Sequence, residues 1–300
     1  MKRHAKRSMP LLAFALLSAT AFAEHDFNNY PRSPIDPAQG VQGDAGFSGT
    51  IEHWGTEDAL NASTHWIGDP ENEWRLNWKF MDLDRADLHP GHLAVDEGQQ
   101  LVELWERREP GFVACLSGGG TSLEGVAARY PRFDESLGRI MTVESLVEHC
   151  DRQVVWQGFK QGSKENTVIS LYIKSLSAGT PIAVDLASKP MMDAYRRGEA
   201  SFYKRVGQLN FACASCHTPG GVMGHRLRGE IPTTPFGDAA HFPTYRSAVG
   251  ELEPLHVRFT RCLKQMRAAG LPPGDPAYVD LEVFYTVLSN GYPISVPSAR

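Results

Sequence analysis

The chain has no apolar run long enough to cross a membrane: the stretch Leu11 to Leu17 falls short of the ~20 residues a bilayer requires, and no later segment comes close. Basic residues are in the minority, with 30 Lys and Arg against 35 Asp and Glu and a formal charge of −5, so nothing favours a nucleic-acid partner. Cysteine is scarce, five in 300 residues, and no second Cys/His pair stands at the spacing of a zinc site. What the short apolar run fits is an export leader, residues 1–23, with Lys2, Arg3, Lys6 and Arg7 ahead of it and Ala21-Phe22-Ala23 as a cleavage site. Its removal leaves 277 residues carrying 26 basic and 35 acidic side chains, a charge of −9. That length suits two modest domains with no membrane span, and export implies a periplasmic location, where disulfides persist.

Two of the cysteines belong to Cys213-Ala-Ser-Cys216-His217. The two vinyl groups of haem capture two thiols one helical turn apart, and the adjacent His reaches the iron, so chemistry dictates this spacing. Composition alone would produce about 0.003 such matches in a chain like this one. The reading is one covalently bound haem c, with Cys213 and Cys216 as attachment sites and His217 as an axial ligand. Residues 190–203 read as a helix, with Pro190 in its first turn and Gly198 and Phe202 on one face. Asp275-Pro276 opens another helix, bearing Val279, Val283, Phe284, Val287 and Leu288. Gly198 would let these two cross closely, as the terminal helices of a small cytochrome c do.

The chain also repeats itself. Leu171-Tyr172-Ile173-Lys174-Ser175-Leu176-Ser177-Ala178-Gly179 resembles Val283-Phe284-Tyr285-Thr286-Val287-Leu288-Ser289-Asn290-Gly291 at an offset of 112. The same offset pairs Cys150 with Cys262, Gln153 with Gln265, and Tyr130-Pro131 with Phe242-Pro243. Upstream it shrinks to about 100, where Gly98 and Val102 match Gly198 and Phe202, so the second copy carries a loop-sized insertion after its haem motif. The expected fold is mostly α, two tandem cytochrome c-like domains: residues 87–179 without haem and residues 180–300 with it. Residues 24–86, containing Trp54, Trp66, Trp74 and Trp78, precede them as an extension whose role the sequence leaves open.

In the first copy Cys115 lacks a partner three residues earlier, and Leu116 stands where the His should follow. With Cys213 and Cys216 used on haem, Cys115, Cys150 and Cys262 allow three pairings. The repeat favours Cys115–Cys150, both facing the space of the missing haem; a loop of that size contributes ~3–4 kcal/mol. Cys262 then falls in the region that normally supplies the sixth iron ligand, where Met223, Met266, His225, His241 and His256 compete with it. Spacing does not decide between Cys262 and Met266. Arg258, Arg261, Lys264 and Arg267 surround Cys262, and a basic helix turn favours the thiolate that binds iron and attacks sulfur. Such a run is more often a solvated face, but the first copy has Leu146 at the position of Arg258, so the Arg occurs only beside the haem motif.

Cys213 to Gly220, His241 to Arg246 and Arg258 to Arg267 together resemble SoxA, the catalytic cytochrome family of the SoxAX complex of bacterial thiosulfate oxidation. The resemblance covers residues 87–292. It implies an L-cysteine S-thiosulfotransferase of the single-haem type, joining thiosulfate to a cysteine of the carrier SoxYZ and working with a second cytochrome subunit, SoxX. It implies His217 and Cys262 as axial ligands, Cys262 as the sulfur-carrying nucleophile, Arg258 as the substrate anion's binding residue, and Cys115–Cys150 in place of a first haem. The rival reading is a periplasmic electron carrier ligated by His217 and Met266.

Overall fold

Short helices with strong caps, separated by turns that need glycine, set the local structure. Ser163 accepts a hydrogen bond from the Asn166 N–H at 3.2 Å and Asp275 accepts one from Ala277 at 2.9 Å, so each starts a helix by satisfying an otherwise orphaned donor. Thr142 and Ser145 form a reciprocal capping box for a third. A computed structural model describes residues 90–217 and 237–299. Residues 1–89, which hold the expected leader and the tryptophan-bearing segment, and the ligand candidates Met223 and His225 lie outside the described residues.

The first half contains α1 (Pro90–Arg108), α2 (Phe112–Ser117), a 3-10 turn (Val126–Arg129), the strands β1 (Arg132–Asp134) and β2 (Arg139–Met141), α3 (Val143–Cys150), a π-helical turn (Asp151–Val155) and α4 (Lys164–Ser175). The second half contains α5 (Lys189–Tyr203), α6 (Ala214–His217), a 3-10 turn (Asp238–His241), β3 (Thr244–Arg246), β4 (Glu251–Glu253), α7 (Leu255–Gln265), α8 (Pro276–Val287) and β5 (Ser298–Ala299). From the 3-10 turn to the last long helix, each element of the first half begins 112 residues before its counterpart, the π-helical turn being absorbed into the longer α7. The glycines that open these 3-10 turns, Gly125 and Gly237, have φ of 71° and 70°, a left-handed backbone that other residues adopt at a cost.

In each half the first long helix crosses the last. Gly198 of α5 sits on the backbone of α8, and Gly98 of α1 sits the same way on α4. Around the second crossing the rings of Tyr195 and Phe202 approach Phe284, with centroids 5.4 Å and 5.2 Å apart, and all three are fully buried.

The two halves are joined by exchange. The β1–β2 hairpin packs on α5, while α1 touches β3 and β5, so each half covers a helix of the other. Both hairpins are antiparallel, Arg132 facing Met141 and Thr244 facing Glu253, and β5 adds to β3 in parallel. Asn290, buried, donates to the Val184 carbonyl and accepts from the Val184 N–H, each at 2.9 Å, which satisfies both backbone polar groups of that residue at the junction. Beside it lies a small cavity lined by Tyr130, Lys174, Phe242 and Glu282. The buried ion pair Lys174–Glu144, at 3.2 Å, stands there with the buried contact of His256 with Glu282, at 2.9 Å, and Glu144 and His256 are equivalent positions of the repeat.

Candidate active site

The haem-type motif begins on a tight turn. Ala212 donates to the Ser215 hydroxyl at 3.0 Å, and the N–H groups of Cys216 and His217 both donate to the Cys213 carbonyl, at 3.1 Å and 3.0 Å. That turn places the two thiols on one side and the imidazole one residue further round, the geometry that two thioether links and an axial ligand need.

The segment ahead of this turn is bolted to the end of α7. Gln208 donates to the Arg267 carbonyl and Leu209 to that of Met266, each at 3.3 Å. Gly207, with φ of 73°, makes the approach possible: a Cβ there would stand 2.2 Å from the Met266 oxygen. The haem motif and the helix bearing Cys262 are therefore held in register by backbone contacts.

Three sulfurs gather as a result. Burial pushes the Cys213 thiol up to about 12, and the neighbouring Cys262 and Cys216 add to the shift. Cys216 is raised by burial and then by Cys262. As a residue Cys213 is only half-buried, yet its sulfur is the enclosed part, and the thiol follows the sulfur. The three sulfurs feel one another, but among the described residues no three His, Cys, Asp or Glu side chains converge on a single ion. The residues present fit a haem: Cys213 and Cys216 would hold it covalently, and Cys262, close enough to perturb both thiols, would be at hand for its iron.

The other ligand candidates are differently placed. His256 is held between the Gly274 N–H, which donates to Nδ1 at 3.0 Å, and the Glu282 carboxylate, 2.9 Å from Nε2; its imidazole serves the core. His241 is buried, and its carbonyl accepts from the Ser298 hydroxyl at 2.6 Å. Met266 is buried at the C-cap of α7. Cys115 and Cys150 form a disulfide, 5.7 Å between Cα atoms, leaving Cys262 as the thiol near the motif.

The basic turn around Cys262 is not a simple solvated face. Arg261 reaches the carboxylates of both Glu251, at 2.9 Å, and Glu253. Arg246, from the neighbouring strand, stands 3.8 Å from the other oxygen of Glu253. Burial raises the Glu253 carboxyl, and Arg261, Arg246 and Arg258 oppose that rise. Sequence reasoning named Arg258 and Arg261 but missed their acidic counterpart. The repeat held the signal: Glu253 and Arg246 align with Met141 and Asp134, so this cluster, like Arg258, belongs to one copy.

Helical halves crossed at glycine, with a Cys-x-x-Cys-His turn packed against a third thiol, define a c-type cytochrome. The model of the SoxA/TsdA cytochrome c domain matches residues 102–182, the half that lacks the haem motif. The chain is 34% identical over 226 residues to the L-cysteine S-thiosulfotransferase subunit SoxA of Chlorobaculum thiosulfatiphilum, covering 75% of this chain and 76% of that protein. It is 30% identical over 244 residues to the same subunit of Pseudaminobacter salicylatoxidans, covering 78% and 83%. A crystal structure of SoxXA from P. pantotrophus contains a chain that superposes with a TM-score of 0.62 at 25% identity, over 74% of this chain and 85% of that one. The chain belongs to the SoxA family of L-cysteine S-thiosulfotransferase subunits.

Proposed function

We propose that this chain, exported to the periplasm, conjugates thiosulfate oxidatively to a cysteine of the carrier SoxYZ, as the catalytic partner of a SoxX subunit and with one covalent haem c. The observation that carries this reading is the grouping of the Cys262 thiol with Cys213 and Cys216, with Arg258 one helical turn before it. Cys213 and Cys216 would hold the haem, and His217 and Cys262 would face its iron. When bound, the haem would supply a one-electron acceptor, and a thiolate from Cys262 would lower its potential.

Each remaining step falls to the chain's own groups. Arg258 offers a planar, permanently charged fork to the dianion, orienting its terminal sulfur toward Cys262. Cys262 would take up that sulfur in an S–S bond formed with loss of the two electrons, and attack of the carrier thiolate on the same sulfur would break that bond and return the Cys262 thiolate. In the net reaction one S–S bond forms between the carrier thiolate and thiosulfate, and two electrons leave, one to this haem and one to the partner cytochrome; a carrier that starts as a thiol also releases one proton.

The test combines the purified chain, its cytochrome partner, carrier and thiosulfate, with intact mass of the carrier as readout. A thiosulfonate adduct is expected, lost in Arg258→Leu while the haem spectrum stays unchanged. An adduct formed at wild-type rate by the variant would refute the assignment of Arg258. A near-infrared Met–iron band retained in Cys262→Ala would replace this reading with an electron carrier ligated by Met266.

A further inference from the structure

In the copy without the haem motif the cysteine that ends α3, Cys150, is tied to Cys115, whereas its counterpart Cys262 belongs to no disulfide. The setting of α7 alone must then hold Cys262 in place. One hold lies at the C-terminal end of the helix, where the Met266 and Arg267 carbonyls accept hydrogen bonds from the segment ahead of the haem motif. The other lies beside the thiol. Arg261, the residue before Cys262, reaches β4 at the carboxylates of Glu251, at 2.9 Å, and Glu253. Glu251 is exposed, and a pair of that kind contributes little. Glu253 has only 1% of its side chain exposed, with Arg246 of β3 3.8 Å from its second oxygen. A charge buried so deeply holds its partner firmly, because breaking the pair would leave it uncompensated. The strand that bears it is fixed in turn, since Glu253 faces Thr244 of β3 and β4 packs on α4 of the first half. Neighbouring side chains diverge by about 100° around a helix, so pinning Arg261 also fixes the direction of Cys262. Where the first copy has its disulfide, the positions of Glu253 and Arg261 are Met141 and His149. The buried pair accompanies the cysteine that no disulfide holds.

We propose that Glu253 is a positioning residue: through Arg261 it fixes the turn of α7 that carries Cys262 and so keeps that thiolate on the haem iron. The proposal rests on the reading of Cys262 as an axial ligand given above. An added ligand reaches the iron only by displacing Cys262. Loss of the Glu253 charge should therefore make that displacement easier, and the effect should vanish once the thiol itself is gone.

The experiment uses the ferric holoprotein with its cytochrome partner and titrates it with cyanide, read from the haem difference spectrum, the partner's contribution being common to every sample. Glu253→Gln should bind cyanide about tenfold more tightly than wild type, because the thiolate it must displace is less firmly held. Glu253→Asp, which keeps the charge, should stay within about threefold of wild type. Cys262→Ala should itself bind cyanide more tightly than wild type, and adding E253Q to it should change the affinity less than about twofold. Wild-type affinity in E253Q overturns the proposal, as does a tenfold gain that persists beside C262A, the mark of a haem pocket loosened in general. Where E253Q does not accumulate, the double variant E253Q/R261Q, which removes both partners of the pair, carries the same titration, and wild-type affinity there is equally fatal. Unchanged affinity in C262A would refute the ligand reading on which the proposal stands, whereas a gain in C262A with none in E253Q defeats the role of Glu253 alone.

Discussion

Gly198 lies against the backbone of Asp280, so closely that a Cβ on the glycine would stand 2.1 Å from the Asp280 carbonyl oxygen. The neighbouring Arg197 holds the same residue from outside, with hydrogen bonds of 2.7 Å and 2.8 Å to its two carboxylate oxygens. The contact recurs in the first half, where a Cβ on Gly98 would stand 2.1 Å from the carbonyl oxygen of Val168.

Both glycines should therefore resist the smallest possible enlargement. Gly198→Ala and Gly98→Ala force two helices apart, and overpacking of this kind costs about 1–3 kcal/mol or more. Denaturant melts should show both losses. G98A should leave the haem absorption spectrum untouched, since its crossing contains no part of the haem motif, and equal spectral damage in both variants would show that the halves do not act as separate crossings.

Gly207 couples the haem motif to the Cys262 helix. Gly207→Ala places a Cβ against the Met266 carbonyl on a backbone with φ of 73°, so the loop must move. The expected result is a lower fraction of haem-loaded protein, read as the ratio of haem to protein absorbance, with the disulfide-bonded first half intact. Full loading would mean that the register of α7 does not depend on this contact.

The Cys115–Cys150 disulfide closes a separation of 35 residues in a half that the sequence leaves without haem. Replacing both cysteines with Ala should cost about 2–5 kcal/mol of stability, since the unfolded chain regains its freedom. The haem spectrum should persist. A change below about 0.5 kcal/mol would show that hydrophobic packing alone carries this half.

Acid should loosen the junction between the halves. Burial by itself would raise the Glu144 carboxyl, but the Lys174 ammonium, its own backbone and His256 together hold it below the ordinary glutamate range. A carboxylate with a depressed pKa contributes stability above its unfolded value and loses it as pH falls through that value toward the folded one. Melting temperature should accordingly drop below about pH 4.5, the usual range of glutamate, more steeply in wild type than in Glu144→Gln. Parallel acid profiles for the two proteins would remove Glu144 from the account.

Much of the architecture was legible because its determinants are local or periodic. The first-turn proline at Pro190, the cap at Asp275 and the face shared by Gly198 and Phe202 were visible in sequence, and the helices run as Lys189–Tyr203 and Pro276–Val287. The offset of 112 was visible too, because a duplicated fold keeps its turn glycines and its apolar spacing while other positions drift. His256 was less legible. As a ligand candidate it looked equivalent to several others, and only its place between Gly274 and Glu282 shows an imidazole committed to the core.

By itself the sequence determined what covalent chemistry and near-neighbour geometry dictate: the Cys213–His217 spacing, the helix starts, the crossing glycines and the doubling of the fold. Only the tertiary structure decided who meets whom. It chose one disulfide among three pairings, brought Cys262 to the two motif cysteines, and set Glu253 among three arginines. Those contacts join residues far apart in the chain or on different elements. Their energies depend on distance and burial, which no periodicity encodes.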